Sequence, residues 1–327
     1  MSQPLIELRK LTKRFGNESS GGILAVDGLT FSVQAGEVLG FLGPNGAGKS
    51  TTMKMLTGFL PPTAGQAILC GHDVAEEPLA VKSRLGYLPE GAPLYSEMTP
   101  EAFLRFAADC RGLKGPALAA AVDRAVSRTN LRGVLHQPIS TLSKGFKRRV
   151  GLAQAIMHEP DVLILDEPTD GLDPNQKHEV RGLIRELASQ SGKAIVLSTH
   201  ILEEVEAVCT RVVVIAKGRI VADSTPLEMV SRSKYHNAVS LALSPPAGTM
   251  IFDELKQLPG VREVEDVGRS TSAEGVQVRC TVIPSTGRLI APEISALVKA
   301  RGWKVEHMRV ESGRLDDVFR ELTRGQA

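Results

Sequence analysis

The chain has 327 residues, 42% of them hydrophobic and 23% charged, with a formal net charge of +2. This is the composition of an ordinary soluble globule with room for one large domain or two ordinary ones, and so small a basic excess gives no argument for nucleic acid or anionic lipid as a main partner. No apolar stretch approaches the ~20 residues that span a bilayer, no signal peptide opens the chain, and Cys70, Cys110, Cys209 and Cys280 lack metal-site or disulfide spacing, so free, buried cysteines in a reducing cytosol are expected.

Ile6-Glu7-Leu8-Arg9 and Leu29-Thr30-Phe31-Ser32-Val33 alternate as strands do, with the polar run from Gly16 to Gly22 between them. An apolar strand, Val38 to Leu42, then leads into Gly43-Pro44-Asn45-Gly46-Ala47-Gly48-Lys49-Ser50-Thr51 and a helical pattern from Met53. That order is what a phosphate-binding loop needs. Glycines let the backbone curl so that several N–H groups face one anion, and the helix N-terminus adds its positive end. Lys49 is placed to reach the outer phosphates and the Ser50 hydroxyl to ligate Mg²⁺.

The interval from this loop to Val162 exceeds what one crossover needs. Much of it reads as helix (Glu101 to Cys110, Pro116 to Arg128, Ser143 to His158), which predicts a helical lobe at about 90–160 inserted into the sheet domain. Val162-Leu163-Ile164-Leu165 and Ala194-Ile195-Val196-Leu197 are continuous apolar runs, typical of strands buried in a parallel sheet, and the helix opening at Pro174-Asn175 joins them. Asp166 and Glu167 cap the first of these strands, at the carboxyl end that faces a ligand crevice. There Asp166 can hold Mg²⁺, directly or through water, and Glu167 can orient or deprotonate a water attacking the γ-phosphate. Val212 to Ile215, a Lys217-Gly218 turn and Ile220 to Ala222 read as a terminal hairpin.

The pattern changes at the polar Ser231-Arg232-Ser233-Lys234. Beyond it the order is strand, helix, strand, strand, helix, strand, then an amphipathic helix from Leu315 to Leu322, which predicts a small ferredoxin-like domain. The chain is expected to divide into an α/β nucleotide-binding domain at 1–232, with a mixed sheet core, and an α+β accessory domain at 236–327.

With these motifs assembled, the chain resembles the ATPase subunits of ABC (ATP-binding cassette) transporters, most of all the drug- and polysaccharide-exporter branch that pairs with a separate permease. Leu142-Ser143-Lys144-Gly145-Phe146-Lys147-Arg148-Arg149 resembles the family signature, with Lys144 and Phe146 where Gly and Gln are commoner. Leu165 to Asp173 resembles the acidic strand followed by a dimer-contacting loop, Ser198-Thr199-His200 the switch-histidine motif, and Leu315-Asp316-Asp317-Val318-Phe319 a segment near the C-terminus of that branch. The resemblance covers roughly the first 230 residues. It implies that ATP and Mg²⁺ bind, that Phe15 stacks on adenine, and that Ser143 and Gly145 meet the γ-phosphate held by a second subunit. Asp173 joins the cross-subunit contact, His200 senses the γ-phosphate, and Glu90 stands where many members have a Mg²⁺-contacting glutamine.

The implied function is ATP hydrolysis coupled to export by a membrane permease, in a homodimer that closes on ATP and sits at the cytoplasmic membrane face without direct nucleic-acid contact. The competing readings are a soluble ABC ATPase of ribosomes or DNA, and another P-loop enzyme such as a GTPase or small-molecule kinase. The first class usually shows tandem cassettes or a long coiled-coil insertion, and the second needs motifs such as Asn-Lys-x-Asp; this chain has none of them.

Overall fold

The structure, a computed structural model, describes residues 3–16, 21–91, 94–244, 246, 250–272, 275–285 and 288–324. Residues 17–20 of the polar run after Phe15 lie outside the described residues. The chain forms two compact units, residues 1–225 and Pro226–Arg324. The division falls ahead of the polar stretch at 231–234, because a short helix, Pro226–Val230, packs against the terminal helix Leu315–Thr323 of the second unit.

The first unit holds two sheets. One is antiparallel, in the order Ile23–Val33, Ile6–Phe15, Ala64–Leu69, His72–Asp73. The other runs Arg219–Ser224, Arg211–Ala216, Val38–Leu42, Ala194–Ser198, Val162–Asp166, Leu85–Leu88, all parallel except the outermost Arg219–Ser224. Every residue of Val38–Leu42, Val162–Asp166 and Ala194–Ser198 is buried, so their unbroken apolar runs follow from cover on both faces. On one face Met53, Met55 and Leu56 of helix Lys49–Leu56 join Phe41, Ile215 and residues of the antiparallel sheet such as Leu8 and Phe31. On the other, Leu163, Leu165, Ile195 and Leu197 pack with helices Pro100–Cys110, Gly115–Arg128, Lys144–Ile156 and Pro174–Ser189.

The interval between the phosphate loop and Val162 is helical as expected from Pro100 onward. It also contains the strands Ala64–Leu69, His72–Asp73 and Leu85–Leu88, whose residues show neither strict alternation nor an unbroken apolar run. One expectation is corrected: the cysteines are free, but only Cys280 is buried, and Cys110 is exposed. The apolar face of helix Pro100–Cys110 is carried by Phe103, Leu104 and Ala108, and position 110 turns off it.

The second unit carries a four-stranded antiparallel sheet in the order Val261–Ser272, Gly275–Pro284, Val239–Ser244, Lys304–Val310. Helices Ile251–Lys256 and Ala291–Arg301 make the two crossovers, so the strand–helix–strand–strand–helix–strand order closes as a ferredoxin-like sheet. Val239, Leu241 and Leu243 alternate inward and meet Ile251, Leu255, Ile294 and Val298 in one core.

Candidate functional site

Register assembles the site. Phe41 and Asp166 both pair with Ser198, so the carboxyl ends of three neighbouring strands stop at one level. The phosphate loop, the acid pair and the Ser198-Thr199-His200 turn therefore open on the same crevice. It is a cavity of about 410 Å³ lined by Asn45, Gly46, Gly48, Lys49, Ser50, Thr51, Glu90, Asp166, Glu167 and His200, with Ala25, Asp170 and Ser198 completing the wall.

The loop cannot carry larger residues at two of its glycines. Gly48 has φ +106°, and a Cβ there would stand 2.5 Å from the Ala25 carbonyl oxygen. A Cβ on Gly43 would stand 2.5 Å from the Ile215 carbonyl oxygen. The curl lets helix Lys49–Leu56 begin at once, with Thr52 N–H donating to Gly48 O at 2.9 Å. Lys49 folds back on its own loop, Nζ donating to the carbonyls of Gly43 (2.6 Å) and Pro44 (3.1 Å). Burial lowers its pKa, against the opposing charges of Glu167, Asp166 and Glu90.

Asp166 is buried at its strand end, and burial pushes its carboxyl pKa up; a hydrogen bond from Ser198 works the other way, while the charges of Glu90 and Glu167 add to the rise. Glu167 has φ +49°, a left-handed backbone that costs a non-glycine residue roughly 1–2 kcal/mol. Neighbours hold it there. Its N–H donates to Ser198 O at 2.8 Å; its carboxylate accepts from Thr199 Oγ1 (3.0 Å) and the His200 N–H (3.0 Å), and lies 2.7 Å from His200 Nδ1.

Sequence reasoning missed two contributors. Arg148 reaches the backs of both acids: Nη1 donates to Pro89 O at 2.8 Å, and Nη2 donates to the carbonyls of Glu167 (2.5 Å) and Asp166. Asp170 lines the cavity and pairs with Lys144 at 2.7 Å, which holds its carboxyl below the usual range. Asp170 could have been found as the acid three residues beyond Glu167; the Arg148 contacts, made to main-chain carbonyls, leave no pattern in sequence.

The remaining predicted residues stand apart from the cavity wall. Phe15 is 43% exposed, with Lys13 Nζ 5.5 Å from its ring centre. Ser143 is the N-cap of helix Lys144–Ile156, its Oγ accepting from Phe146 N–H at 3.3 Å. A Cβ on Gly145 would stand 2.5 Å from Gln176 Oε1, so this helix start lies tight against helix Pro174–Ser189. Asp173 caps that second helix, accepting from Gln176 N–H at 2.9 Å.

A second, larger hollow of about 800 Å³ adjoins Pro89. Phe59, Leu79, Leu88 and Phe103 give it an apolar lining, Lys54, Lys82 and Arg111 add basic groups, and Gly151 and Gln154 contribute one wall from helix Lys144–Ile156.

The family model described as ABC transporter matches residues 26–170. Nod factor export ATP-binding protein I of Burkholderia lata is 40% identical over 320 residues, 97% of this chain and 96% of its own length. The probable multidrug ABC transporter ATP-binding protein YbhF of Escherichia coli is 38% identical over 231 residues, 71% of this chain but only 39% of YbhF. Among solved structures, an ATP-binding subunit of an ABC transporter matches with a TM-score of 0.62 and 33% identity, over 69% of this chain and 91% of that one. The likeness thus runs nearly end to end, on the fold and motifs described above, and the chain belongs to the ATP-binding proteins of the ABC transporters, an ATPase family, on its exporter-like side.

Proposed function

We propose that the cavity binds ATP with its phosphates in the loop Gly43 to Thr51, and that hydrolysis there drives a separate membrane permease in export. The observation that carries this is the convergence of loop lysine, acid pair and His200 on one crevice of about 410 Å³. Main-chain N–H groups from Asn45 to Thr51 would cradle the phosphates, and Lys49, released from its own carbonyls, would reach the outer ones. Glu167 acts as the base that takes a proton from the attacking water. His200 holds that carboxylate and is free to turn to a γ-phosphate, and Phe15 stacks on adenine.

No group of three or more His, Cys, Asp or Glu that could hold a metal converges among the described residues. Mg²⁺ needs no such group, because it keeps waters and shares phosphate oxygens with one or two protein ligands. Ser50 and Asp166 fit that role, with Glu90 beside them. When bound, the ion supplies positive charge to the phosphate oxygens.

Ser143, Gly145 and Asp173 lie off the cavity wall, and we assign them to the nucleotide of a second copy. Two chains would then close on two ATP molecules and part after hydrolysis, a shift limited by differential binding. No described helix is long and apolar enough to cross a membrane. We assign the hollow beside Pro89 to a short permease segment; on this reading the chain sits peripherally at the cytoplasmic membrane face, without direct nucleic-acid contact. The test is Glu167→Gln: ATP binding is retained, turnover falls roughly 100-fold or more, and light scattering shows an ATP-bound dimer accumulating. Wild-type turnover in this variant would refute the assignment.

A further inference from the structure

Arg148 sits inside helix Lys144–Ile156 with its residue only 6% exposed, and its hydrogen bonds go entirely to main-chain carbonyls. Burying a guanidinium without a carboxylate partner in direct contact is costly, so its presence at this point asks for a reason. Each carbonyl it holds belongs to a residue that matters or to that residue's neighbour. Nη2 bridges the carbonyls of Asp166 and Glu167, across the junction where extended strand turns left-handed at Glu167 φ +49°. Nη1 takes the carbonyl of Pro89, the residue before Glu90.

We propose that Arg148 is a positioning residue for hydrolysis: it pins the left-handed turn that aims the Glu167 carboxylate into the cavity and fixes the Glu90 loop to the same point. This rests on the assignment of Glu167 as the base. The rigid fork suits the task, since its two Nη atoms reach Pro89 and the Asp166–Glu167 junction at once, whereas a lysine ammonium is a single point charge on a flexible stem. The side-chain bonds of Glu167 to Thr199 and His200 hold its carboxylate from the front, and Arg148 holds its backbone from behind.

The test uses the full chain carrying Arg148→Lys, and separately Arg148→Gln, which stays neutral and still donates. Steady-state ATPase and binding of a fluorescent ATP analogue are measured in each, and single-turnover hydrolysis is measured with and without Glu167→Gln. Arg148→Lys lowers kcat by roughly 10- to 100-fold, the scale of a misplaced catalytic group, while KM and analogue Kd stay within about threefold. In the Glu167→Gln background it causes less than about a twofold further loss, because no base remains to be aimed. A kcat loss below about fivefold overturns the proposal. So does a rise of KM and Kd in step with the loss, or an equal loss in the Glu167→Gln background. Should Arg148→Lys fail to fold, Arg148→Gln carries the same comparison with the same thresholds. Wild-type turnover in Glu167→Gln alone refutes the base assignment instead, so the two failures are distinguishable.

Discussion

At the scale of single residues, the site is a set of charges held in places where water cannot fully serve them. Lys49 shows this most directly: its ammonium is partly buried, and its hydrogen bonds go to the carbonyls of its own loop, so ATP replaces weak partners with strong ones. Lys49→Ala is expected to weaken ATP binding at least about tenfold, on the scale of one lost charge-assisted bond, with the fold intact by circular dichroism. Wild-type affinity in titration calorimetry would count against that role. His158 gives a pH prediction of a different kind. Its Nε2 lies 3.0 Å from Arg111 Nη1 and 3.1 Å from Leu85 O, and burial, with Arg111 adding, pushes its pKa down to about 4. The unfolded chain therefore takes up this proton near pH 6.5 while the folded chain does not, so stability present above pH 6.5 is lost as pH falls toward 4. Between pH 7.5 and 5.5 the wild type should lose roughly 1 kcal/mol more than His158→Gln; parallel losses in urea titrations would show that His158 does not contribute.

At the scale of elements, helix Lys144–Ile156 joins the Ser143 segment, the acid pair and the hollow beside Pro89. Its N-cap is Ser143, its buried face carries Arg148 to the acid pair, and Gly151 and Gln154 reach the hollow beside Pro89. The strand Leu85–Leu88 lies directly under it: a Cβ on Gly86 would stand 2.1 Å from the Ala155 carbonyl oxygen and 2.6 Å from Leu163 Cδ2. Gly86→Ala must push helix from strand and should cost about 1–3 kcal/mol, the range for overpacked cores. A denaturation midpoint equal to wild type would mean that the helix yields freely there. This pairing also marks where the sequence became illegible. Val38–Leu42, Val162–Asp166 and Ala194–Ser198 announce themselves as unbroken apolar runs, and the acids that end one of them are read off the same line. In Leu85–Leu88 a glycine interrupts the run, so it shows neither alternation nor an unbroken apolar stretch, and its strand identity comes from the neighbour it pairs with. Arg148 was hidden for a related reason: its partners are carbonyls, which every residue has.

At the scale of the whole molecule, the two units have separate hydrophobic cores. Leu163 belongs to the core between the large sheet and its helices in residues 1–225, and Ile294 to the core under the sheet of Pro226–Arg324; each is fully buried. Neither residue touches the proposed ATP cavity, so substitutions there report stability alone. Leu163→Ala and Ile294→Ala should each cost about 2–5 kcal/mol, the range for emptying a well-packed site. If each core unfolds as its own cooperative unit, calorimetry will resolve two transitions, one lowered by Leu163→Ala and the other by Ile294→Ala. ATP then supplies the assignment. Binding at 100 times its Kd stabilises the unit that holds it by about 2.7 kcal/mol and leaves the other where it was. The transition that rises with ATP should be the one that Leu163→Ala lowers. A single transition moved by both substitutions and by ATP would mean that the two cores melt together, and the second unit would then share in the energetics of nucleotide binding.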